Sequence, residues 1–166
     1  MDRTLCSMMA GVTGAGTLTL LHQAARSMTP YAPRMDVLGI RALRGAYRRL
    51  GVEAGSDASL ERQALAGDVV ANSAYYALVG AGSRESVWAR GLALGLVAGL
   101  GAILLPRPLG LGDPPNAELR STQLMTVAWY VIGGLTAAAA FAARDGDASA
   151  PAPALRQRPL ARHASR

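Results

Sequence analysis

Three polar side chains interrupt apolar stretches of this sequence and are the first candidates for chemistry. His22 lies near the end of the first apolar stretch, and Asp68 and Asn72 lie in the second, one helical turn apart. An ionisable side chain inside a membrane segment points to a functional site and requires a partner. We expect a hydrogen bond between His22 and Asp68 that keeps the carboxylate ionised. Such a pair would serve either as a clasp between helices or as a proton or substrate site.

Arg90 is the other possible partner of Asp68, but its place in the chain disfavours the pair. If the second and third apolar stretches form a hairpin around Gly82, Asp68 precedes the turn by 14 residues and Arg90 follows it by 8. At a rise of about 1.5 Å per residue, the two side chains would differ in depth by roughly 9 Å. His22 matches the depth of Asp68 better, since both lie near the end of their stretch that faces the segment 26–63.

The residue types that the chain lacks exclude most catalytic chemistry. All 17 basic residues are arginine, and the absence of lysine excludes Schiff-base, pyridoxal phosphate and phosphate-loop lysine sites. A single cysteine, Cys6, excludes an internal disulfide and a cysteine-based metal cage. No nucleotide-binding or hydrolase motif is present. We therefore expect no catalytic residue, no metal and no cofactor, and a membrane enzyme is the least favoured class.

The elements that must position these residues are apolar helices. The composition is 51% apolar but only 5% aromatic, with 19 glycines, and small residues let helices approach closely in lipid. A span requires about 20 apolar residues. The first stretch is too long for a signal-peptide core and is interpreted as an uncleaved span. The sequence predicts an all-α integral membrane bundle of about four membrane-embedded helices, over residues 5–25, 64–82, 87–105 and 121–143.

The polar segments around these stretches have different characters. The segment 26–63 contains a predicted amphipathic helix over residues 35–50, in which an arginine stripe runs beside an apolar stripe. This pattern is typical of a helix in the membrane interface, and it is equally compatible with a short helix packed on the ends of the spans. Residues 1–143 would form one helical membrane domain, and residues 144–166 a disordered tail rich in alanine, proline and arginine. We expect no nucleic-acid partner; the residues expected to contact anionic lipid headgroups are Arg41, Arg44, Arg48 and Arg49.

Glycines in the third stretch predict close helix packing. Gly91, Gly95 and Gly99 recur every four residues and leave one helical face as bare backbone, a glycine-zipper pattern. This face would pack against another helix of the same chain, or it would mediate a homo-oligomer. Before the fourth stretch, Pro114-Pro115-Asn116 predicts a rigid turn with Asn116 as the helix N-cap.

The distribution of the arginines along the chain bears on the membrane topology. If all four stretches span, eight of the 17 arginines lie on the side of the two termini and nine on the other side, which is no positive-inside signal. If the stretch 64–82 instead enters and returns to the same side, the division becomes fourteen against three. An aspartate near a helix centre also costs about 2.5–3.5 kcal/mol on insertion, so hydropathy disfavours the same stretch. The two paths of this stretch, spanning and re-entrant, stay open, as does the orientation.

Two functions from different classes fit these features. The first is a non-enzymatic accessory or scaffold component that acts through helix packing and its arginine-rich interfacial face, as a homo-oligomer or within a larger membrane complex. The alternative is a small proton-coupled transporter or channel that uses Asp68 with His22. Its balanced arginines and single membrane carboxylate resemble the small multidrug exporters in architecture only, since no stretch matches their motifs and this chain is longer. We expect a multi-pass protein of the bacterial inner membrane.

Overall fold

The protein is all-helical throughout the part of the chain that the structure describes. A computed structural model describes the backbone of residues 2–148 and the side chains of residues 2–144. No strand occurs within that range. Short 3-10 turns at Leu78–Gly80 and Arg84–Ser86 connect the third and fourth helices. The α-helices are α1 (Arg3–Met28), α2 (Met35–Leu50), α3 (Asp57–Ala77), α4 (Val87–Leu104) and α5 (Arg120–Ala148).

Three helical segments are long and apolar enough to cross a membrane, rather than the four predicted. They are Arg3–Met28, Arg84–Leu104 and Arg120–Arg144. The prediction of an all-α membrane bundle is therefore confirmed, with a lower count of apolar spans. The exception is α3, which begins at Asp57 instead of residue 64. Its additional first two turns carry charged side chains, so only its C-terminal part is apolar.

Although α3 is not apolar enough to qualify, it runs from one end of the bundle to the other. At the beginning of α1, Arg3 Nε donates to Gly80 O over 3.2 Å, directly after α3. We call this the Arg3 end. At the opposite end, which we call the α2 end, Asp57 begins α3 in an ion pair with Arg44 of α2, 2.6 Å apart. Because α3 is a continuous helix between these contacts, it traverses the bundle, as the spanning path predicts.

The helices pack in the spatial order α3, α1, α5 and α4, with α2 against α3. Small residues make these contacts close. A Cβ placed on Gly14 of α1 would lie 2.6 Å from Gly133 O of α5. Large side chains fill the remaining core, among them Tyr76, Phe141 and Leu18, all fully buried. In contrast, α3 and α4 barely touch each other, and this weak pairing leaves room for the cavity described below.

Both limits of α5 differ from those predicted. Asn116 is not its N-cap, because the helix begins at Arg120. Asn116 instead adopts a left-handed conformation with φ 61°, and its side-chain amide donates to Pro30 O over 3.0 Å. This bond ties the α4–α5 connection to the end of α1. At the other limit, residues 144–148 are helical rather than part of a disordered tail. The remainder of the predicted tail, residues 149–166, lies outside the described residues.

Candidate functional site

A cavity of about 1000 Å³ lies between α3 and α4, on the side of the bundle that faces α2. His22, Asp68 and Asn72 all line it. The cavity closes toward the Arg3 end, where Tyr75 Oη of α3 donates to Leu94 O of α4 over 3.0 Å. From this bond toward the α2 end, the cavity wall on α4 consists of glycine and of small or apolar side chains. Residues of all five helices thus line one space with a mainly apolar wall, and charged residues join that wall toward the α2 end, namely Arg26, Asp36, Glu61 and Arg62.

His22 and Asp68 share the cavity but form no hydrogen bond with each other in the described part of the chain, so that prediction was wrong. The imidazole edge instead meets the rings of Trp129 and Tyr130, with centroid distances of 5.3 and 5.9 Å. Its Nε2 atom is buried and has no partner among the described residues. The reason is the earlier start of α3, which places Asp68 near the middle of that helix, whereas His22 lies close to the end of α1.

Asp68 takes its hydrogen bonds from its own helix. Asn72 Nδ2 donates to Asp68 Oδ1 over 2.9 Å and to Asp68 O over 3.0 Å. Among the described residues no cationic side chain forms an ion pair with this carboxylate. Arg90 is absent from the site, as the depth argument predicts, because it donates to Val79 O and Ser83 O over 3.0 and 2.7 Å. A carboxylate without a counter-ion therefore faces the cavity.

Charged side chains meet where the cavity reaches the α2 end. The carboxylate of Asp36 on α2 lies 2.8 Å from Arg34 Nη2 and 3.4 Å from Arg26 Nη2. Burial alone would raise the pKa of Asp36, but the Arg34 hydrogen bonds and the two positive charges outweigh it and lower that pKa. This cluster attaches the beginning of α2 to the end of α1. The apolar pattern of the sequence does not indicate this cluster, because its residues lie at the polar ends of the two helices and in the connection between them.

Thr19 and Tyr130 are two further cavity residues that the sequence analysis missed. Thr19 Oγ1 is buried without a partner in the described range, and it lies one turn from His22. Unsatisfied buried polar atoms are uncommon because each costs about 1–3 kcal/mol. The three-residue spacing from His22 was an available signal for Thr19. Tyr130 gave none, since an aromatic residue in an apolar helix is ordinary.

The predicted glycine face of α4 packs against α5. A Cβ on Gly91 would lie 2.6 Å from Gly134 O, and one on Gly95 would lie 2.5 Å from Val131 Cα. At Gly99 the nearest atom would be Val127 Cα, at 2.8 Å. The close approach that bare backbone permits is thus used inside the chain. Any homo-oligomer would have to form through another face.

The four arginines predicted to contact lipid do not form one uniform stripe. Arg41 Nη1 donates to Leu111 O over 2.9 Å and to Asp113 O over 2.8 Å, which ties α2 to the α4–α5 connection. Arg44 pairs with Asp57. Within the described residues, Arg48 and Arg49 donate to no protein acceptor. Two of these side chains thus help to hold the fold, and two retain their full capacity to donate hydrogen bonds.

The cavity brings ionisable and aromatic side chains together with apolar ones. Its lining supplies three carboxyl groups (Asp36, Glu61 and Asp68), one imidazole and two aromatic hydroxyls. Across the described residues, no group of three or more potential metal ligands occurs. No protein family, curated protein or solved structure matches this chain.

Proposed function

We propose that this chain is a small integral membrane transporter that binds a lipophilic cation at Asp68 in exchange for a proton. The observation that carries the proposal is a mainly apolar cavity of about 1000 Å³ that holds a carboxylate with no ion-pair partner among the described residues. An ionised carboxylate without a counter-ion is costly in such an apolar cavity inside a membrane bundle. Either a proton or a cationic ligand therefore neutralises Asp68.

This competition is the physical basis of coupling. A proton and a cation cannot both neutralise one carboxylate, so binding of either releases the other. Asn72 stabilises the ionised form because its amide donates to Oδ1. When the cation leaves, the proton that replaces it restores neutrality. The expected exchange needs no further titrating residue, and His22, whose Nε2 has no partner among the described residues, contributes a hydrogen bond to the bound molecule or to water.

The walls of the cavity indicate the kind of cation. Tyr75 and Tyr130 bring aromatic rings to it, and α4 contributes Val97, Ala98 and Gly101. Aromatic faces attract cations, and apolar walls favour organic groups over hydrated inorganic ions. The volume lies at the upper end of that found for drug-sized ligands, about 300–1000 Å³. An aromatic or alkylated monovalent cation fits these walls best.

The proposed proton exchange also indicates the membrane in which the protein lies. Coupled transport needs a membrane across which a proton gradient is maintained, and in bacteria this is the inner membrane. We therefore place the protein there, as a multi-pass protein. This assignment rests on the transport proposal and on the three apolar helices.

The second candidate is the accessory or scaffold component, alone, as a homo-oligomer or in a larger complex. It is favoured by one observation, which is that Arg48 and Arg49 have no protein acceptor in the described part of the chain and remain available to a partner. The glycine face offers less support than expected, because α5 covers it. A scaffold would show no proton-dependent flux.

The test is uptake of tetraphenylphosphonium by proteoliposomes that contain the full chain, driven by an imposed pH gradient. We expect uptake above protein-free vesicles for the wild type and its loss in Asp68→Asn. Asp57→Asn is the matched control, because it makes the same change on α3 at a side chain that is 84% exposed and outside the cavity, where it gives up only the surface ion pair with Arg44. Size-exclusion chromatography and circular dichroism would confirm that each variant folds.

Two outcomes would overturn the proposal. One is a folded wild-type protein without pH-driven uptake of the probe and without pH-dependent binding of it in detergent. The other is equal uptake by folded Asp68→Asn and wild type. A stable complex with other membrane proteins, together with the first outcome, would favour the scaffold.

A further inference from the structure

We propose a second binding site, a pocket for a phosphate group between α2 and the α4–α5 connection. The pocket has a volume of about 380 Å³ and is separate from the Asp68 cavity. This inference does not depend on transport. The residues that line the pocket are Arg41, Arg44, Tyr47, Arg48, Val52, Ala54, Gly110 and Leu111.

The spacing along α2 explains how three guanidinium groups reach one pocket. Arg41, Arg44 and Arg48 are three and four residues apart, so they share one helical face. Arg49 is displaced by about 100° around the helix from Arg48, and it does not line the pocket. The predicted stripe of four arginines is thus divided into three that converge and one that does not.

The charges in the pocket favour an anion. In the described part of the chain three arginines and no acidic residue line it, and one of these arginines, Arg44, also pairs with Asp57 outside the lining. Arg41 is held in place by the carbonyls of Leu111 and Asp113, which accept from Nη1. Arg48 has no acceptor among the described residues and keeps all its donors free. Guanidinium groups bind phosphate through paired, charge-assisted hydrogen bonds, which makes phosphate the anion that this geometry suits.

The position of the pocket indicates where the phosphate comes from. It lies at the α2 end, beyond the last residue of α4 and before the first residue of α5. The ends of membrane spans are at the level of lipid headgroups, where anionic lipids concentrate phosphate next to the protein. A lipid phosphodiester and free inorganic phosphate present the same chemistry to these arginines, and the experiment separates them.

The test is native mass spectrometry of the full chain after exchange into phosphatidylglycerol or phosphatidylcholine. We expect the wild type to retain phosphatidylglycerol preferentially and Arg48→Gln to retain it about tenfold less, as suits the loss of one charge-assisted contact. Arg49→Gln is the matched control, because it removes the same charge one residue away and outside the pocket. Neither side chain has a protein acceptor in the described range, so both variants are expected to fold. Retention by Arg49→Gln should stay near that of the wild type.

Competition with inorganic phosphate identifies the source. Retention of phosphatidylglycerol in a large excess of inorganic phosphate assigns the site to lipid, and displacement assigns it to the phosphate group alone; both support a phosphate pocket. Equal losses in Arg48→Gln and Arg49→Gln would overturn it, because they would indicate a general attraction to the whole helix. Because arginines repel the choline cation next to the phosphate of phosphatidylcholine, equal retention of the two lipids by the wild type would overturn it as well.

Discussion

Substitution of Gly95 by alanine is expected to destabilise the protein, although alanine is the better helix former. A Cβ at this position would lie 2.5 Å from Val131 Cα and 2.7 Å from Tyr130 O. Both atoms belong to the backbone of α5, so α4 and α5 must move apart to accommodate the methyl group. Overpacking of this kind costs about 1–3 kcal/mol, which exceeds the roughly 0.5–1 kcal/mol that alanine gains over glycine in a helix. We expect the free energy of unfolding to fall by about 1–2 kcal/mol.

Gly101→Ala supplies the matched control on the same helix. There the added Cβ meets only Leu105 Cδ1, at 3.4 Å, the end of a flexible side chain. This variant should be as stable as the wild type or slightly more stable. Unfolding of the full chain in mixed micelles, titrated with sodium dodecyl sulfate and followed by circular dichroism, measures both changes. Equal stabilities for the two variants would refute the view that the Gly95 face is the tight contact between α4 and α5.

Three further outcomes are expected. Tyr76→Phe removes a buried hydrogen bond of 2.7 Å to Tyr130 O and should lower the free energy of unfolding by about 1 kcal/mol in the same titration; an unchanged midpoint would contradict the bond. Single cysteines at positions 55 and 83 should be labelled from opposite faces of sealed vesicles, whereas labelling from one face would indicate the re-entrant path of α3. Because the pKa of Asp36 is lowered in the folded protein, its ion pairs stabilise above the ordinary carboxyl pKa of about 3.9, and this contribution is lost as the pH falls through the lower folded value. The thermal midpoints of wild type and Arg34→Gln should therefore differ at pH 7 and converge in acid, and a difference that persists at low pH would contradict the assignment.

Much of the secondary structure could be predicted because run length and periodicity are local properties. The bounds of α2 agree with those predicted from its amphipathic pattern, residues 35–50. The beginning of α3 could not be predicted in this way, because its first turns are polar. Ser56 caps this helix by accepting a hydrogen bond from the Ser59 amide over 3.4 Å, a contact to which a hydropathy pattern is insensitive.

The candidate site was predicted in its residues but not in its contacts. His22, Asp68 and Asn72 stand out because polar groups are costly in apolar helices, and all three line one cavity. Their hydrogen bonds depend on the relative depth of α1 and α3 in the bundle. The predicted depth was wrong because α3 begins at Asp57, earlier in the chain than expected. Thr19 and Tyr130 belong to the same site; the spacing of Thr19 from His22 was a signal for the first, whereas Tyr130 is of a type too common in apolar helices to be singled out.

The sequence by itself predicted an all-α membrane protein, excluded the chemistry that needs lysine or paired cysteines, and singled out the polar residues that interrupt the apolar stretches. These conclusions depend on composition and on apolar runs of about 20 residues, whose length is set by the thickness of the bilayer core and not by the tertiary fold. Only the tertiary structure decided that α3 traverses the bundle, that α5 covers the glycine face, and that Asp68 has no counter-ion among the described residues. The physical reason is that the rotation and depth of each helix follow from backbone contacts such as Gly14 with Gly133, and such contacts join residues far apart in the chain.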